Sequence, residues 1–318
     1  MDEFALIRRY FDWPADERND IELAVGDDAA IIHANGRLAI STDMLIAGRH
    51  FPESTAADAI AHKALAVNLS DMAAMGAQPL AFTLSLGIPA ADNTWLALFA
   101  QGLSNLAQKH DCALIGGDTV RASQLTINIT VFGQLPEQSV IRRDQARVGD
   151  QLCISGPIGD AALGLKLALK PENTPAGLAP EYQHYLRQRL DRPEPRVTQA
   201  VQAVGLAHAG LDISDGLLQD AAHLATASNV GLMLDLTRLP ISDAAQAWLA
   251  LRPEDADLLP RGGDDYELLL TVPVEALSAM ETLGFTRIGE VSAQAQSPGV
   301  YSSSTGKRLD VAGFRHFQ

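Results

Sequence analysis

Five times along this 318-residue chain a short apolar stretch runs into a cluster built around aspartate. The clusters are Gly26-Asp27-Asp28-Ala29, Ser41-Thr42-Asp43-Met44, Gly116-Gly117-Asp118-Thr119, Asp212-Ile213-Ser214-Asp215-Gly216 and Gly262-Gly263-Asp264-Asp265-Tyr266. Aspartate and glycine favour turns, so the pattern predicts short strands whose ends carry carboxylates. Longer apolar segments of helical length stand between them, which makes the fold class mixed α/β. Strands are expected at 23–25, 29–33, 38–41, 81–86, 113–115 and 125–132, with helices over 56–75, closed by Gly76, and 95–109. The stretch 135–150 breaks the pattern with Pro136, three arginines and Gly149, so two domains are expected, 1–137 and 138–318. In the second, strands are expected at 151–155, 232–235, 267–272 and 287–291, helices at 160–169, 197–204 and 216–228, and a polar, proline-rich insert at 170–180. No repeat of fixed period and no low-complexity segment interrupts the chain.

Acids outnumber bases 39 to 24, a formal charge of −15 that repels nucleic-acid backbones and makes them unlikely partners. Cys112 and Cys153 sit in apolar runs and suggest no disulfide framework. The acidic opening Met1-Asp2-Glu3 is no signal peptide, and no apolar stretch is long enough to span a bilayer. A reduced, cytoplasmic setting without a membrane is the expectation.

The familiar nucleotide and hydrolase motifs are absent. There is no phosphate-binding G-x-x-x-x-G-K-[ST] loop, no G-x-S-x-G elbow, no H-E-x-x-H helix and no cysteine pair suited to zinc. What remains is a set of hard oxygen ligands beside glycines. Magnesium takes one or two carboxylates together with substrate phosphates, and glycines let backbone N–H groups approach those phosphates. Any single Asp-Gly pair is more often just a turn. Asp71 is harder to dismiss, because it stands in the apolar run with Val67, Leu69, Met72 and Ala74, where a buried carboxylate needs a partner. The alternatives are a metal, Lys63 two turns back, or a side chain that points to solvent. His50 alone reads as structural. Gly156-Pro157-Ile158-Gly159-Asp160 reads as a tight turn ahead of an anion site, and Arg142 or Arg143 as a phosphate ligand or a solvated face.

At these residues the sequence resembles the thiamine-monophosphate kinase family, part of the wider group built like aminoimidazole-ribonucleotide synthetase. The carriers are Gly26 to Ala30, Ser41 to Met44, His50-Phe51, the run Asn68-Leu69-Ser70-Asp71-Met72-Ala73-Ala74-Met75-Gly76, Gly116 to Thr119, Asp212 to Leu217 and Gly263 to Leu268. The resemblance implies a two-domain architecture in a homodimer whose N-terminal domains pair across a shared sheet, with each site in the cleft between the domains. It implies magnesium-dependent transfer of phosphate from ATP to thiamine monophosphate, direct and in line, giving thiamine diphosphate and ADP. By position, Asp27, Ser41, Thr42, Asp43, Asp71, Asp118, Asp212 and Asp215 match metal ligands; Gly117, Asp118, Arg143 and Ser214 match ATP contacts; His50, Asp264 and Phe317 match the thiamine monophosphate site. Three departures stand out. Asp144-Gln145 replace the usual Ser-Gly after Arg143, Ala100-Gln101 replace an aromatic before Gly102, and Asp264 replaces a glutamate. Two rival readings stay open: a ligase- or dehydratase-type ATP consumer of the same superfamily, and a non-catalytic nucleotide-binding regulator.

Overall fold

The structure is a computed structural model and describes residues 3–13, 20–26, 29–137, 139–293 and 297–311. The chain forms two compact units, 1–72 with 77–138 and 73–76 with 139–318.

The first unit runs α1 (Glu3–Tyr10), β1 (Ile21–Leu23), β2 (Ile31–Ile32), β3 (Leu38–Ile46), α2 (Ala57–Ala74), β4 (Gln78–Ile88), α3 (Asn93–Lys109), β5 (Ala113–Arg121) and β6 (Thr126–Gln134). Strands β3, β6, β4 and β5 form one sheet in that spatial order, antiparallel except for the β4–β5 pair. Side chains alternate across a strand. Ser41, Asp43 and Leu45 therefore share a face with Ile129, Ile127, Leu84 and Leu86, while Thr42 and Met44 share the other with Thr130, Asn128, Thr83, Ser85 and Asp118. The first face is the core: Leu84, Leu86, Ile127 and Ile129 are buried. Helix α2 covers it and is buried almost all round, the polar Lys63, Asn68 and Ser70 included. A Cβ on Gly133 of β6 would meet the sulfur of Met72, and one on Gly102 of α3 would meet the carbonyl oxygen of Asp58, so α2 is clasped between sheet and helix. On the opposite face, β1 and β2 cover only the end formed by Leu38, Phe132, Ala81 and Ala113. Elsewhere on this face Ile40, Met44 and Val120 are 61%, 53% and 51% exposed among the described residues.

The second unit contains β7 (Gln151–Ile154), α4 (Asp160–Leu169), α5 (Pro180–Asp191), α6 (Val197–Ala203), β8 (Ala209–Ile213), α7 (Leu217–Ser228), β9 (Gly231–Leu234), α8 (Asp243–Leu251), α9 (Leu258–Arg261), β10 (Glu267–Val272), α10 (Leu277–Thr282), β11 (Thr286–Ser292) and β12 (Gly299–Ser302). Its six-stranded sheet has the order β12-β9-β11-β7-β10-β8. Helix α7 packs Leu217, Leu218, Ala221, Leu224 and Ala225 into a core with Ile154, Leu211, Ile213 and Leu232, and a separate cluster gathers Leu163, Leu167, Leu186, Trp248 and Leu259. No helix among the described residues is long and apolar enough to cross a membrane.

Two expectations need correction. Ser41–Asp43 and Gly116–Asp118 do not end strands; they lie inside nine-residue strands, β3 and β5. Cross-strand pairing with β6 and β4 holds those polar stretches extended, overriding the turn preference of aspartate and glycine. The polar segment after Leu169 also leads into a twelve-residue helix, α5, absent from the sequence reading because only Leu186 and Leu190 of it are buried.

Candidate active site

On the core face at the free edge of β3, the hydroxyl of Ser41 donates a short hydrogen bond to the carboxylate of Asp71, which α2 delivers from below. Asp43 points to the same side. Burial first, and the negative charge of Asp71 second, push its carboxyl up to about 6 from 3.8. Sequence reasoning thus located a true convergence: Ser41, Asp43 and Asp71, thirty residues apart at the extremes, meet at one edge. Two hard-oxygen carboxylates brought together, with the charge of Asp71 disfavouring ionisation of Asp43, fit a divalent cation that supplies the missing positive charge.

Thr42 lies on the other face. Its hydroxyl donates to the carbonyl oxygen of Ile129 at 3.0 Å and accepts from Asn128 Nδ2 at 3.0 Å and Thr130 Oγ1 at 3.1 Å. Its hydrogen and both lone pairs are engaged. Just beyond the two ends of the ladder, Arg37 accepts the N–H of Leu135 and Ala47 donates its N–H to the carbonyl of Leu125, so the odd-numbered residues of β3 are the paired ones and the carbonyl of Thr42 faces the free edge. Asn128 and Thr130 were missed by the sequence reading, although polar residues alternating with Ile127, Ile129 and Val131 are a half-open strand's signature.

Asp118 is exposed on β5, the opposite edge of the same sheet. With β6 and β4 between, β3 and β5 stand roughly 14 Å apart at the usual strand spacing. One chain therefore does not bring Asp118 to Asp43 and Asp71. Gly117 adjoins it at φ +149°, and an added Cβ would lie 1.8 Å from the carbonyl oxygen of Leu84, so only glycine fits. Beside Asp118 opens a cleft of about 540 Å³, lined by Ile7, Phe11, Gly26, Ala29 and Ala30 as well as 116–119. Gly26, Ala29 and Ala30 thus line the same cleft as Asp118; Asp27 and Phe317 lie outside the described residues. Among the described residues no group of three or more His, Cys, Asp or Glu closes on a single ion. His50 accepts the N–H of Ile46 at 2.9 Å through Nδ1, which closes the turn after β3 and places the ring proton on Nε2.

In the second unit, Asp212 ends β8 and is buried, and the turn after it carries Ser214 and Asp215. Two neighbours lock that turn. Asp220 accepts the N–H groups of Ser214, Asp215 and Gly216 at 3.0, 3.0 and 3.1 Å. From the other side, Asp264 and Tyr266 donate their N–H groups to the carbonyls of Ser214 and Ile213, both at 2.8 Å. Gly263 sits so close that a Cβ would lie 2.4 Å from the carbonyl oxygen of Ser214. Burial raises the Asp220 carboxyl to about 7 against the N–H donors that lower it. The glycine turn before α4 is closed by the buried Asp265, whose carboxylate accepts the N–H of Gly159 at 2.8 Å, so the expected tight turn is found there. Behind it, the fully buried Glu267 is held by Arg189 and Arg196. Arg142 is engaged by Asp144 through two hydrogen bonds of 2.9 and 2.6 Å, which leaves Arg143 the arginine whose guanidinium no ion pair among the described residues holds.

Family models match both halves of the chain: AIR synthase related protein, N-terminal domain, over residues 26–135, and its C-terminal domain over 147–300. The thiamine-monophosphate kinase of Escherichia coli K12 is 40% identical, over 99% of this chain and 98% of that protein. The crystal structure of the thiamine-monophosphate kinase from Stenotrophomonas maltophilia superposes with a TM-score of 0.85 at 41% identity, covering 92% of this chain and 93% of that one. A structure described as AaThiL complexed with AMPPCP and TMP follows at a TM-score of 0.79 and 31% identity, over 88% and 87%. Matched at 40% identity over nearly its whole length and superposing on a solved member with a TM-score of 0.85, the chain belongs to the thiamine-monophosphate kinase family.

Proposed function

We propose that this protein transfers the γ-phosphoryl group of ATP to thiamine monophosphate, in line and without a phosphoenzyme, on magnesium held by its aspartates. The observation that carries the reading is the Asp43–Asp71 pair at a sheet edge, where burial first and the charge of Asp71 second push the Asp43 carboxyl up to about 6. Magnesium, when bound, supplies neutralisation and alignment of two mutually repelling phosphates. Asp43 and Asp71 hold it, and Ser41 orients Asp71. Thr42 reaches the same edge through its main-chain carbonyl, its hydroxyl being engaged elsewhere. Gly117 and Asp118 receive the nucleotide in the cleft beside α1; by the family resemblance, Arg143 and Ser214 are proposed as further ATP contacts and Asp212 and Asp215 as further metal ligands. His50, Asp264 and Phe317 are proposed to contact thiamine monophosphate. A phosphate acceptor with its second pKa near ~6 is already ionised at neutral pH, so no strong general base is required. Purified protein given ATP, magnesium and thiamine monophosphate is expected to yield ADP and thiamine diphosphate in equal amounts, and to leave unphosphorylated thiamine untouched. Release of free phosphate in place of thiamine diphosphate would instead support the ligase-type reading.

The separation of Asp43 from Asp118 supports a homodimer. If one cation and one nucleotide need both edges of the sheet, β3 of one protomer must lie beside β5 of its partner. Two four-stranded sheets joined at both edges close into a barrel, and the open faces, with Ile40, Met44 and Val120, turn inward and are buried. Ile40→Glu with Met44→Glu is then expected to give monomers in sedimentation velocity and to abolish turnover. Dimers of unchanged stability would contradict this arrangement.

A further inference from the structure

The N-terminus of α7 invites an anion. Successive N–H groups of Ser214, Asp215 and Gly216 converge there, at the head of a twelve-residue helix. A phosphate is the usual guest of such a place. Here the guest is internal: one oxygen of Asp220, Oδ2, takes all three hydrogen bonds, and the side chain is buried, with the residue only 5% exposed. We infer that Asp220 is a positioning residue of the reaction. It occupies the amide nest from behind, so the nest holds the turn and not a nucleotide phosphate, and it fixes the backbone that carries Ser214 and Asp215.

Three consequences follow from the geometry. Ser214 contacts the nucleotide through its hydroxyl, because its N–H is already donated to Asp220. Asp215 is steadied twice, by its own N–H on Asp220 and by Gln219 Nε2 on its Oδ2 at 3.0 Å. The carbonyl side of the turn is fastened separately by the N–H of Asp264 on Ser214. Removing Asp220 therefore loosens the amide side alone, and the strand pairing of Asp212 with Leu268 persists.

The inference rests on the proposed metal role of Asp212 and Asp215, and the test separates the two. Since a single oxygen accepts all three bonds, Asp220→Asn keeps the acceptor and Asp220→Leu removes it in similar volume. Three readouts are needed: backbone amide exchange at 214–216 in the metal-free protein, Mn2+ affinity by electron paramagnetic resonance with AMPPCP present, and kcat against KM for ATP. Asp220→Leu is expected to speed exchange at those amides at least about tenfold and to weaken Mn2+ binding and raise KM by a similar factor, with Asp220→Asn within about threefold of wild type in all three. If Asp220→Leu does not fold, Asp220→Gln, which moves the acceptor by one methylene, is expected to show the same losses. Unchanged Mn2+ affinity and KM in a folded Asp220→Leu or Asp220→Gln protein would overturn the inference, as would equal damage from Asp220→Asn. Asp212→Asn is the control: if it binds Mn2+ normally, the metal reading fails, whereas loss there with no loss at Asp220 sinks the positioning role alone.

Discussion

Asp43→Asn is expected to abolish turnover and, at the same time, to make the metal-free protein more stable. The two effects have one cause. The Asp43 carboxyl is lifted from 3.8 to about 6 by burial and by Asp71, so the folded state prefers it protonated. A carboxyl whose folded pKa is raised contributes its stability below its unfolded pKa and loses it as the pH climbs through the folded value. At pH 7.5 the wild-type protein therefore carries an ionised Asp43 at a cost that asparagine does not incur. The upper limit, from the two-unit shift, is about 3 kcal/mol, and partial solvent contact makes about 1–2 kcal/mol the better figure. That corresponds to a rise in Tm of several degrees at pH 7.5, shrinking to nothing below about pH 4. Turnover is expected to fall by at least 10²–10³-fold, roughly the loss seen when one preorganised charge partner of a transition state is removed. Thermal unfolding without magnesium at several pH values, paired with kcat, checks both halves. A variant that is less stable and inactive would place Asp43 among ordinary structural acids.

Mixing two dead variants is expected to restore activity. Asp43→Asn and Asp118→Asn should each be inactive alone. If each site takes Asp43 from one protomer and Asp118 from its partner, a heterodimer of the two has one doubly damaged site and one intact site. Random exchange gives half heterodimers, so roughly one quarter of all sites are wild type and about a quarter of normal turnover returns. Equal amounts of the two variants, unfolded and refolded together or co-expressed, provide the sample, with each variant processed alone as the baseline. Recovery near that fraction requires sites shared across the dimer. No recovery, with heterodimers demonstrated by mass, would mean that each chain builds its own site.

Much of the site was legible in the sequence because its residues violate the pattern around them. Asp71 in an apolar helix stood out as a candidate ligand, and Ser41 donates to it with the like charge of Asp43 close by. The helix that carries it was readable to within a residue at each end, since Ala, Leu and Met fill it and Gly76 stops it. The turn character of Ser41–Asp43 and Gly116–Asp118 was misread for a physical reason: local preference favours a turn, and ladders of nine residue pairs to β6 and eight to β4 override it. That override is also what puts Thr42 on the face away from Asp43, which no inspection of neighbouring letters reveals. Asp220 went unnoticed because an acid in the first turn of a helix is common, and only the three converging N–H groups set it apart. Sheet order, the fact that separates Asp43 from Asp118, is a property of non-local pairing and leaves no trace at either residue.

Crystals grown with AMPPCP, thiamine monophosphate and Mn2+ in place of magnesium, measured for anomalous scattering, probe the account at its centre. The account predicts a manganese peak in contact with the carboxylates of Asp43 and Asp71 of one protomer and reached by Asp118 of the other. A peak bound only through nucleotide phosphates, with Asp43 and Asp71 turned away from it, would contradict that.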